Sequence, residues 1–311
     1  MLRAAVVAWG LCACVPLAGA QGAAPAAPMF RSSVDLVRVS ATARDAKGRF
    51  VPGLTRWDFQ VLDDGVPRLI EEFHPEDGGI SLTVLLDASG SMEAGLAVAR
   101  ETAGHLLAAL GREDDETGFF AFDTEMHEVA PYGTHRATVP ASMAQVQPFG
   151  ATSLYDAIAE AARRAATRNG NRRAVVVLTD GIDTSSALTP SEVSGIASAI
   201  DVPVYVVAVV PAIDDPWSNR GVVSEGQSTL RGSLRDLAEW TGGETFVASS
   251  EAARQDAARR VVDELRHQYL IAFEARETPG WHRLEVRTHR RTVTVRARSG
   301  YFAGQSRPAG N

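Results

Sequence analysis

The sequence predicts an α/β fold, in which a doubly wound, mostly parallel sheet is inserted in a small discontinuous β-sandwich-like domain. Between residues 80 and 267, strand-like runs alternate with amphipathic helices, which is the pattern of a parallel sheet with crossover connections. The flanking segments, 30–79 and 268–304, carry strand patterns only. Each is too small to form a stable sheet sandwich alone, so we expect the two to combine into one domain of about six strands.

The composition is that of an ordinary globular protein. The chain has 311 residues, of which 45% are hydrophobic and 22% charged, which excludes disorder as its main state. Its formal net charge is -7 and its basic residues are scattered. Because a nucleic-acid-binding surface needs clustered positive charge, nucleic acid is excluded as a partner.

The first 20 residues have the features of a secretory signal: an early cation at Arg3, a short apolar run, and small residues that suit cleavage after Ala20. We therefore expect an exported protein, periplasmic or secreted. Cys12 and Cys14 are the only cysteines, so the mature chain would have no disulfide. In an alternative interpretation, residues 11–14 resemble a lipoprotein box and Cys14 becomes a lipidated first residue.

After the signal, residues 21–29 are rich in Ala, Pro and Gly and are interpreted as a linker, and residues 305–311 as a tail. No later segment approaches about 20 apolar residues, so no transmembrane segment is expected in the mature chain. Strands are predicted in the first flanking segment at Val34–Ala43, Trp57–Leu62 and Arg68–Phe73, separated by turns rich in Asp and Gly.

In the α/β region, Ile80–Leu86 is a nearly continuous apolar run and is predicted to be a central strand buried on both faces. The helix that follows has one apolar stripe from Leu96 to Leu110. Further strands are predicted at Gly118–Asp123, His127–Ala130 (an antiparallel edge strand), Ala174–Asp180, Val202–Val210 and Glu244–Ala248.

Helix boundaries are well marked. Thr189 and Glu192 form a predicted capping box at the start of Pro190–Ile200. Leu234–Trp240 is expected to stop at Gly242. The last helix is predicted at Ser250–His267 and the last strands at Tyr269–Ala275, Leu284–Thr288 and Thr292–Arg298.

The sequence Asp87-Ala88-Ser89-Gly90-Ser91 follows the predicted central strand. In an open parallel sheet, ligands bind outside the carboxyl ends of the strands. Carboxylate and hydroxyl oxygens two residues apart can converge on one hard cation. A helix start capped by Ser89 or Ser91 would also explain this loop. Helix capping would not explain Thr152 and Asp180. These residues lie in two later loops, which also follow predicted strands or begin predicted helices.

Together these three loops resemble the metal-ion-dependent adhesion site of the von Willebrand factor A family over residues 80–267. The resemblance implies that Ser89, Ser91 and Thr152 contact a cation directly, and that Asp87 and Asp180 hold it directly or through water. The implied cation is Mg²⁺ (or Mn²⁺/Ca²⁺), and the implied partner is a protein that presents an Asp or Glu to it. The flanking segments carry Val61–Val66 after Leu54–Phe59, and Gln268–Leu270 with Gly300 and Tyr301 downstream. In these motifs they look like the von Willebrand factor A related proteins of acidobacteria.

Other polar residues are interpreted as lying outside the site. Asp156 is expected to be a first-turn charge on the helix from Ser153. Asp183 and Thr184 are expected to form a solvated turn, with contacts that support the ligand residues as the alternative. The segment 211–229, with Trp217, is expected to be a surface excursion, with a role in partner choice as a hypothesis. The seven histidines show no metal-ligand spacing and are interpreted as surface or core side chains.

The function predicted from these features is a non-enzymatic, metal-dependent binding module that acts outside the cytoplasm. One alternative is a metal-assisted hydrolase, but the ligand loops offer no His, Lys or Cys as a base or nucleophile. Another is an envelope scaffold whose β domain makes the lasting contacts and whose metal site is not essential.

Overall fold

The computed structural model describes residues 36–75, 78–133, 138–168, 172–210, 225–276 and 278–303. The predicted signal at 1–20 with Cys14, the linker at 21–29, the tail at 305–311 and Trp217 lie outside these residues.

A six-stranded sheet forms the centre of the α/β region. Its order is β10-β9-β8-β5-β6-β7, and all neighbours are parallel except β7, which runs antiparallel to β6 at the edge. The strands are β5 (Ile80–Asp87), β6 (Glu116–Phe122), β7 (Met126–Gly133), β8 (Arg172–Thr179), β9 (Val204–Ala208) and β10 (Thr245–Val247). Every residue of β5 is buried, because the strand lies between two parallel neighbours and under helices on both faces.

Helices cover both faces of this sheet. On one face, α1 (Leu96–Ala109) and α7 (Glu251–Arg266) share a hydrophobic core with alternate residues of β5 and β8. On the other face, α3 (Leu154–Ala166), α4 (Pro190–Ala199) and α6 (Ser233–Thr241) pack against the remaining strand residues. The two short helices are α2 (Val139–Ala144) and α5 (Glu225–Arg231). The predicted capping box is present: Thr189 Oγ1 accepts from the Glu192 amide at 3.3 Å, and Glu192 Oε2 accepts from the Thr189 amide at 2.8 Å.

Two antiparallel sheets combine strands from both flanking segments. One has the order β13-β1-β11-β4, with β1 (Leu36–Asp45), β4 (Ile70–Pro75), β11 (Gln268–Glu274) and β13 (Val293–Arg296). The other has the order β14-β12-β2-β3, with β2 (Phe59–Asp63), β3 (Val66–Arg68), β12 (Gly280–Thr288) and β14 (Gly300–Ala303). Val39, Ile271 and Phe273 of the first sheet share one core with Val61 and Val286 of the second. The sheets therefore pack face to face, as in a sandwich.

The predicted fold class is confirmed, and the differences are local. Residues 56–58 form a 3-10 turn rather than the start of a strand. Residues 211–224 of the predicted unstructured segment 211–229 lie outside the described residues. The rest of this prediction is wrong, because α5 begins at Glu225. The short elements α2, β3 and β14 were not predicted, since runs of three to six residues carry too little periodicity. In the part of the chain that the structure describes, no helix has the length and apolar character needed to cross a membrane.

Candidate metal site at the carboxyl edge of the central sheet

The first predicted ligand loop begins where β5 ends. Asp87 is fully buried, and its Oδ1 accepts hydrogen bonds from the Ser89 amide at 3.0 Å and the Ser89 hydroxyl at 2.7 Å. The Ser89 and Ser91 hydroxyl oxygens are 3.1 Å apart. Ser91 is exposed at the protein surface. The loop thus presents a row of oxygen atoms from a buried carboxylate to the surface.

The second loop, which carries Thr152, is joined to the first by two backbone hydrogen bonds. The Gly90 amide donates to the Gly150 carbonyl at 3.1 Å, and the Phe149 amide donates to the Ala88 carbonyl at 2.8 Å. Gly150 has a φ of 77°, which L-residues with side chains rarely adopt. Thr152 itself is buried. Its loop is therefore fixed against the one that carries the two serines.

The third loop follows β8, the parallel neighbour of β5, and begins at Asp180. Asp180 Oδ1 accepts from the Ile182 amide at 3.0 Å. The Thr184 amide donates to the Thr152 carbonyl at 2.9 Å, which ties this loop to the second. Asp180 and Ser91 line the same groove, which has a volume of about 500 Å³. The structure thus brings all three loops together at one edge of the sheet.

Several residues outside the predicted set hold these loops in place. Thr179 Oγ1 donates to Asp87 Oδ2 at 2.6 Å, so the last residue of β8 orients the carboxylate at the end of β5. Asp183 and Thr184, interpreted as a solvated turn, are half-buried and exposed respectively, and they also hold the second loop. Asp183 Oδ1 accepts from the Leu154 amide at 2.9 Å, and Thr184 Oγ1 accepts from the Thr152 amide at 2.9 Å.

Asp156 is a first-turn charge of α3, as predicted, and it also anchors the third loop. Its two carboxylate oxygens accept from the amides of Ala187 and Leu188, each at 2.9 Å. The start of α3 and the third loop are therefore held together by side chains from both sides. The sequence signal for this role was a cluster of short polar residues at 183–186, which favours side chain to backbone hydrogen bonds.

Burial dominates the electrostatics of Asp87. The pKa of this carboxyl is raised from 3.8 to about 6, with burial as the largest cause and the negative charge of Asp180 as a smaller one, while the hydrogen bonds from Thr179 and Ser89 oppose the shift. A carboxylate in this position is costly to ionise because it has lost its water and faces a second acid. A cation at the rim would offset both costs.

The residues at the rim fit a hard divalent cation. The donor set consists of carboxylate and hydroxyl oxygens only, which suits Mg²⁺, Mn²⁺ or Ca²⁺ better than a softer metal. The loops are fixed by the hydrogen bonds described above, so little ordering is needed when an ion binds. Asp87, Ser89 and Thr152 are buried and Ser91 is exposed, which leaves one side of the set open to solvent.

The burial of Asp87 predicts an unusual pH dependence for the metal-free protein. In the unfolded chain Asp87 ionises near 3.8, whereas in the folded chain it ionises near 6. The folded state therefore binds this proton more tightly, and the free energy of unfolding should fall as pH rises from about 4 through about 6. The shift corresponds to about 3 kcal/mol.

Urea unfolding in the presence of a chelator, repeated across this pH range, measures the effect. Asp87→Asn, which has no titrating carboxyl, should flatten this part of the profile and be more stable than the wild type at neutral pH. The exposed Asp256→Asn on α7 serves as the control. An Asp87→Asn profile that keeps the wild-type slope would assign the effect to another group.

A doubly wound sheet with oxygen-bearing loops at the carboxyl edge of its central strands defines a class of α/β binding domain whose ligand site lies on that rim. Within this class, the chain belongs to the von Willebrand factor type A domain family, whose model matches residues 81–260. The family predicted from the three loops is therefore confirmed.

Solved structures similar to this chain include the conserved hypothetical protein BatB from Bacteroides thetaiotaomicron, at 19% identity and a TM-score of 0.49, covering 60% of this chain and 98% of that one. A von Willebrand factor type A structure from Catenulispora acidiphila has 13% identity and a TM-score of 0.49, and covers 79% of this chain and 74% of its own. The PilB minor pilin from Streptococcus sanguinis has 15% identity and a TM-score of 0.44, and covers 61% and 62%. No curated protein sequence matches the chain.

Proposed function

We propose that this chain is an exported, non-enzymatic binding module that holds a divalent cation and, through it, an acidic residue of a protein partner. Asp87, Ser89, Ser91, Thr152 and Asp180 would hold the ion, with Mg²⁺ as the first candidate. The ion would supply a positive charge with one coordination position open to a carboxylate from the partner. The features of a secretory signal at residues 1–20 support export.

The buried Asp87 carboxylate is the observation that carries this proposal. Its position at the end of β5 costs stability in the metal-free protein, and hydrogen bonds from Thr179 and Ser89 hold both of its carboxylate oxygens. A destabilising acid that is nevertheless fixed by three hydrogen bonds is typical of a functional site rather than of a structural one.

The surface beside the rim suits a protein partner. Phe149, in the loop that carries Thr152, has 78% of its surface exposed. The groove that contains Ser91 and Asp180 is lined mostly by apolar residues such as Val98, Ile182 and Val209, with Ser249 and the basic Arg254 beside them. Large aromatic side chains and apolar clefts beside a charged anchor are typical of protein-binding surfaces. This lining favours a binding role over the hydrolase alternative, which needs a base or nucleophile beside the ion.

A chelator-controlled capture from native envelope extract tests the function. The wild-type protein should retain a partner in Mg²⁺ and release it in chelator, and the purified partner should then bind with an affinity that depends on Mg²⁺. Asp180→Asn should abolish this binding. Phe149→Ala should weaken partner binding about ten-fold or more while leaving Mg²⁺ affinity unchanged, because its ring lies outside the proposed ligand set.

The scaffold alternative makes the opposite prediction. If the partner stays bound in chelator, and if Asp180→Asn binds it as tightly as the wild type, the lasting contacts lie elsewhere. That result would contradict the proposed function.

A further inference from the structure

A second cluster of potential metal ligands lies in the β-sandwich, apart from the rim of the central sheet. Asp63 ends β2, and Asp64 lies in the two-residue Asp-Gly turn that leads to β3, with a φ of 49°. His282 lies on β12, which pairs with β2. One ligand atom from each of these three residues lies within 4.8 Å of the others. Asp63 and His282 are buried and Asp64 is partly exposed.

The hydrogen bonds of His282 determine which of its nitrogens faces the acids. Its Nε2 lies 2.7 Å from the Thr278 carbonyl oxygen, which can only accept, so Nε2 carries the proton. In a neutral ring the lone pair of Nδ1 then points away from Thr278. Nδ1 lies 2.9 Å from Asp64 Oδ2 and 3.4 Å from Asp63 Oδ1. A lone pair that faces two carboxylate oxygens is repelled by them unless a proton or a metal ion lies between.

Each carboxylate has one oxygen fixed by protein donors and the other directed at His282. Asp63 Oδ2 accepts from Arg68 Nε at 3.0 Å and from the Tyr301 hydroxyl at 3.1 Å. Asp63 Oδ1 is fully buried and accepts no hydrogen bond from the described part of the chain. Asp64 Oδ1 accepts from the Arg283 amide at 2.9 Å, while Oδ2 faces the ring and also accepts from Arg276 Nη1 at 3.4 Å.

We propose that Asp63 Oδ1, Asp64 Oδ2 and His282 Nδ1 form a transition-metal site that suits Zn²⁺. Tetrahedral zinc with bonds of about 2.0–2.1 Å places its ligand atoms about 3.3 Å apart, close to the two distances from Nδ1. One imidazole nitrogen and two carboxylate oxygens are ligands that zinc accepts, and the imidazole distinguishes this set from the all-oxygen rim. The partly exposed side of Asp64 leaves room for water as the fourth ligand.

Neighbouring groups orient the three proposed ligands by hydrogen bonds, as the residues around metal ligands commonly do. Thr278 fixes the ring tautomer, and Arg68 and Tyr301 fix the orientation of Asp63. Arg276 balances part of the negative charge in the metal-free protein, with Nη1 3.4 Å from Asp64 Oδ2. Its side chain is 32% exposed, so it has space to turn toward solvent when an ion occupies the cluster.

Calorimetric titration of untagged protein with Zn²⁺ at neutral pH tests the site. The titration is done in an Asp87→Asn background, so that the rim of the central sheet does not contribute. This protein should bind a single Zn²⁺ ion, and His282→Asn or Asp64→Asn in the same background should weaken binding ten-fold or more. His289→Asn, an exposed histidine just after β12, should bind as tightly as the background.

Nitrogen-15 NMR of the histidine rings in the Asp87→Asn protein keeps the test independent of substitutions in the cluster. Zn²⁺ should shift the Nδ1 resonance of His282 while Nε2 stays protonated. The proposal is overturned if the Asp87→Asn protein binds no Zn²⁺, if a correctly folded His282→Asn variant binds it equally well, or if Nδ1 remains protonated in excess Zn²⁺. The last result would mean that a proton, not a metal, lies between the ring and the acids.

Discussion

Glu264→Gln is expected to lower the free energy of unfolding by about 3–5 kcal/mol. Glu264 lies on α7 and is 1% exposed. It contacts both the central sheet and one sheet of the β-sandwich. Its Oε1 accepts from the Tyr205 hydroxyl on β9 at 3.0 Å, and its Oε2 contacts Arg44 of β1 at 2.7 Å and Arg296 of β13. Without this charge, two arginines lose a buried anionic partner that the glutamine amide replaces only in part.

The charges around Arg296 support a large loss of stability in Glu264→Gln. Burial alone would lower its pKa, but the charges around it, with Glu264 foremost, raise the pKa well above its usual value. The control is Glu251→Gln, an exposed acid on the same helix, which should change stability by less than about 1 kcal/mol. Denaturant unfolding of both variants gives the comparison. Equal stabilities would show that Glu264 does not link α7 to the sandwich energetically.

Gly181→Ala is expected to destabilise the protein by about 2–4 kcal/mol and to weaken Mg²⁺ binding at the rim. Gly181 follows Asp180 and has a φ of 87°. A Cβ at this position would lie 2.6 Å from Leu230 Cγ and 3.0 Å from the Gly226 carbonyl oxygen, both on α5. The strained backbone and the clash would displace the loop that carries Asp180.

Gly104→Ala provides the matched control for this substitution. Gly104 lies within α1, where an added Cβ would meet nothing within 4 Å, so alanine should stabilise the helix by about 0.5–1 kcal/mol. Urea unfolding and calorimetric Mg²⁺ titration of the two variants measure both effects. If Gly181→Ala is as stable as the wild type and binds Mg²⁺ equally well, the loop does not need the conformation seen here.

The sequence predicts best the elements that have a long apolar run or a specific capping residue at one end. β5 and β8 are buried on both faces, and their apolar runs end at the residues before the site loops. The Thr189 capping box fixed the start of α4. The helical end of the 211–229 segment was missed because α5 is a short helix of seven residues in which Leu230 is the one large apolar side chain, so it has no apolar stripe.

The supporting residues of the two candidate sites depend on contacts between distant parts of the chain. From the sequence alone, Thr179 is only the last residue of a predicted strand. Its hydrogen bond to Asp87 forms because β8 pairs with β5. Asp64 and His282 are 218 positions apart, and the pairing of β2 with β12 brings them together. No local spacing of histidines and acids reveals such a cluster, so the sequence alone gives His282 no metal-binding signal.

The central proposal, that oxygens from three separate loops hold one cation, is tested most directly by calorimetric Mg²⁺ titration of one variant per loop. Ser91→Ala, Thr152→Val and Asp180→Asn should each weaken Mg²⁺ binding about ten-fold or more, a loss of about 1.4 kcal/mol or greater. Ser249→Ala, which lines the same groove outside the ligand set, should bind as the wild type does. A correctly folded Thr152→Val protein with unchanged Mg²⁺ affinity would contradict the proposal.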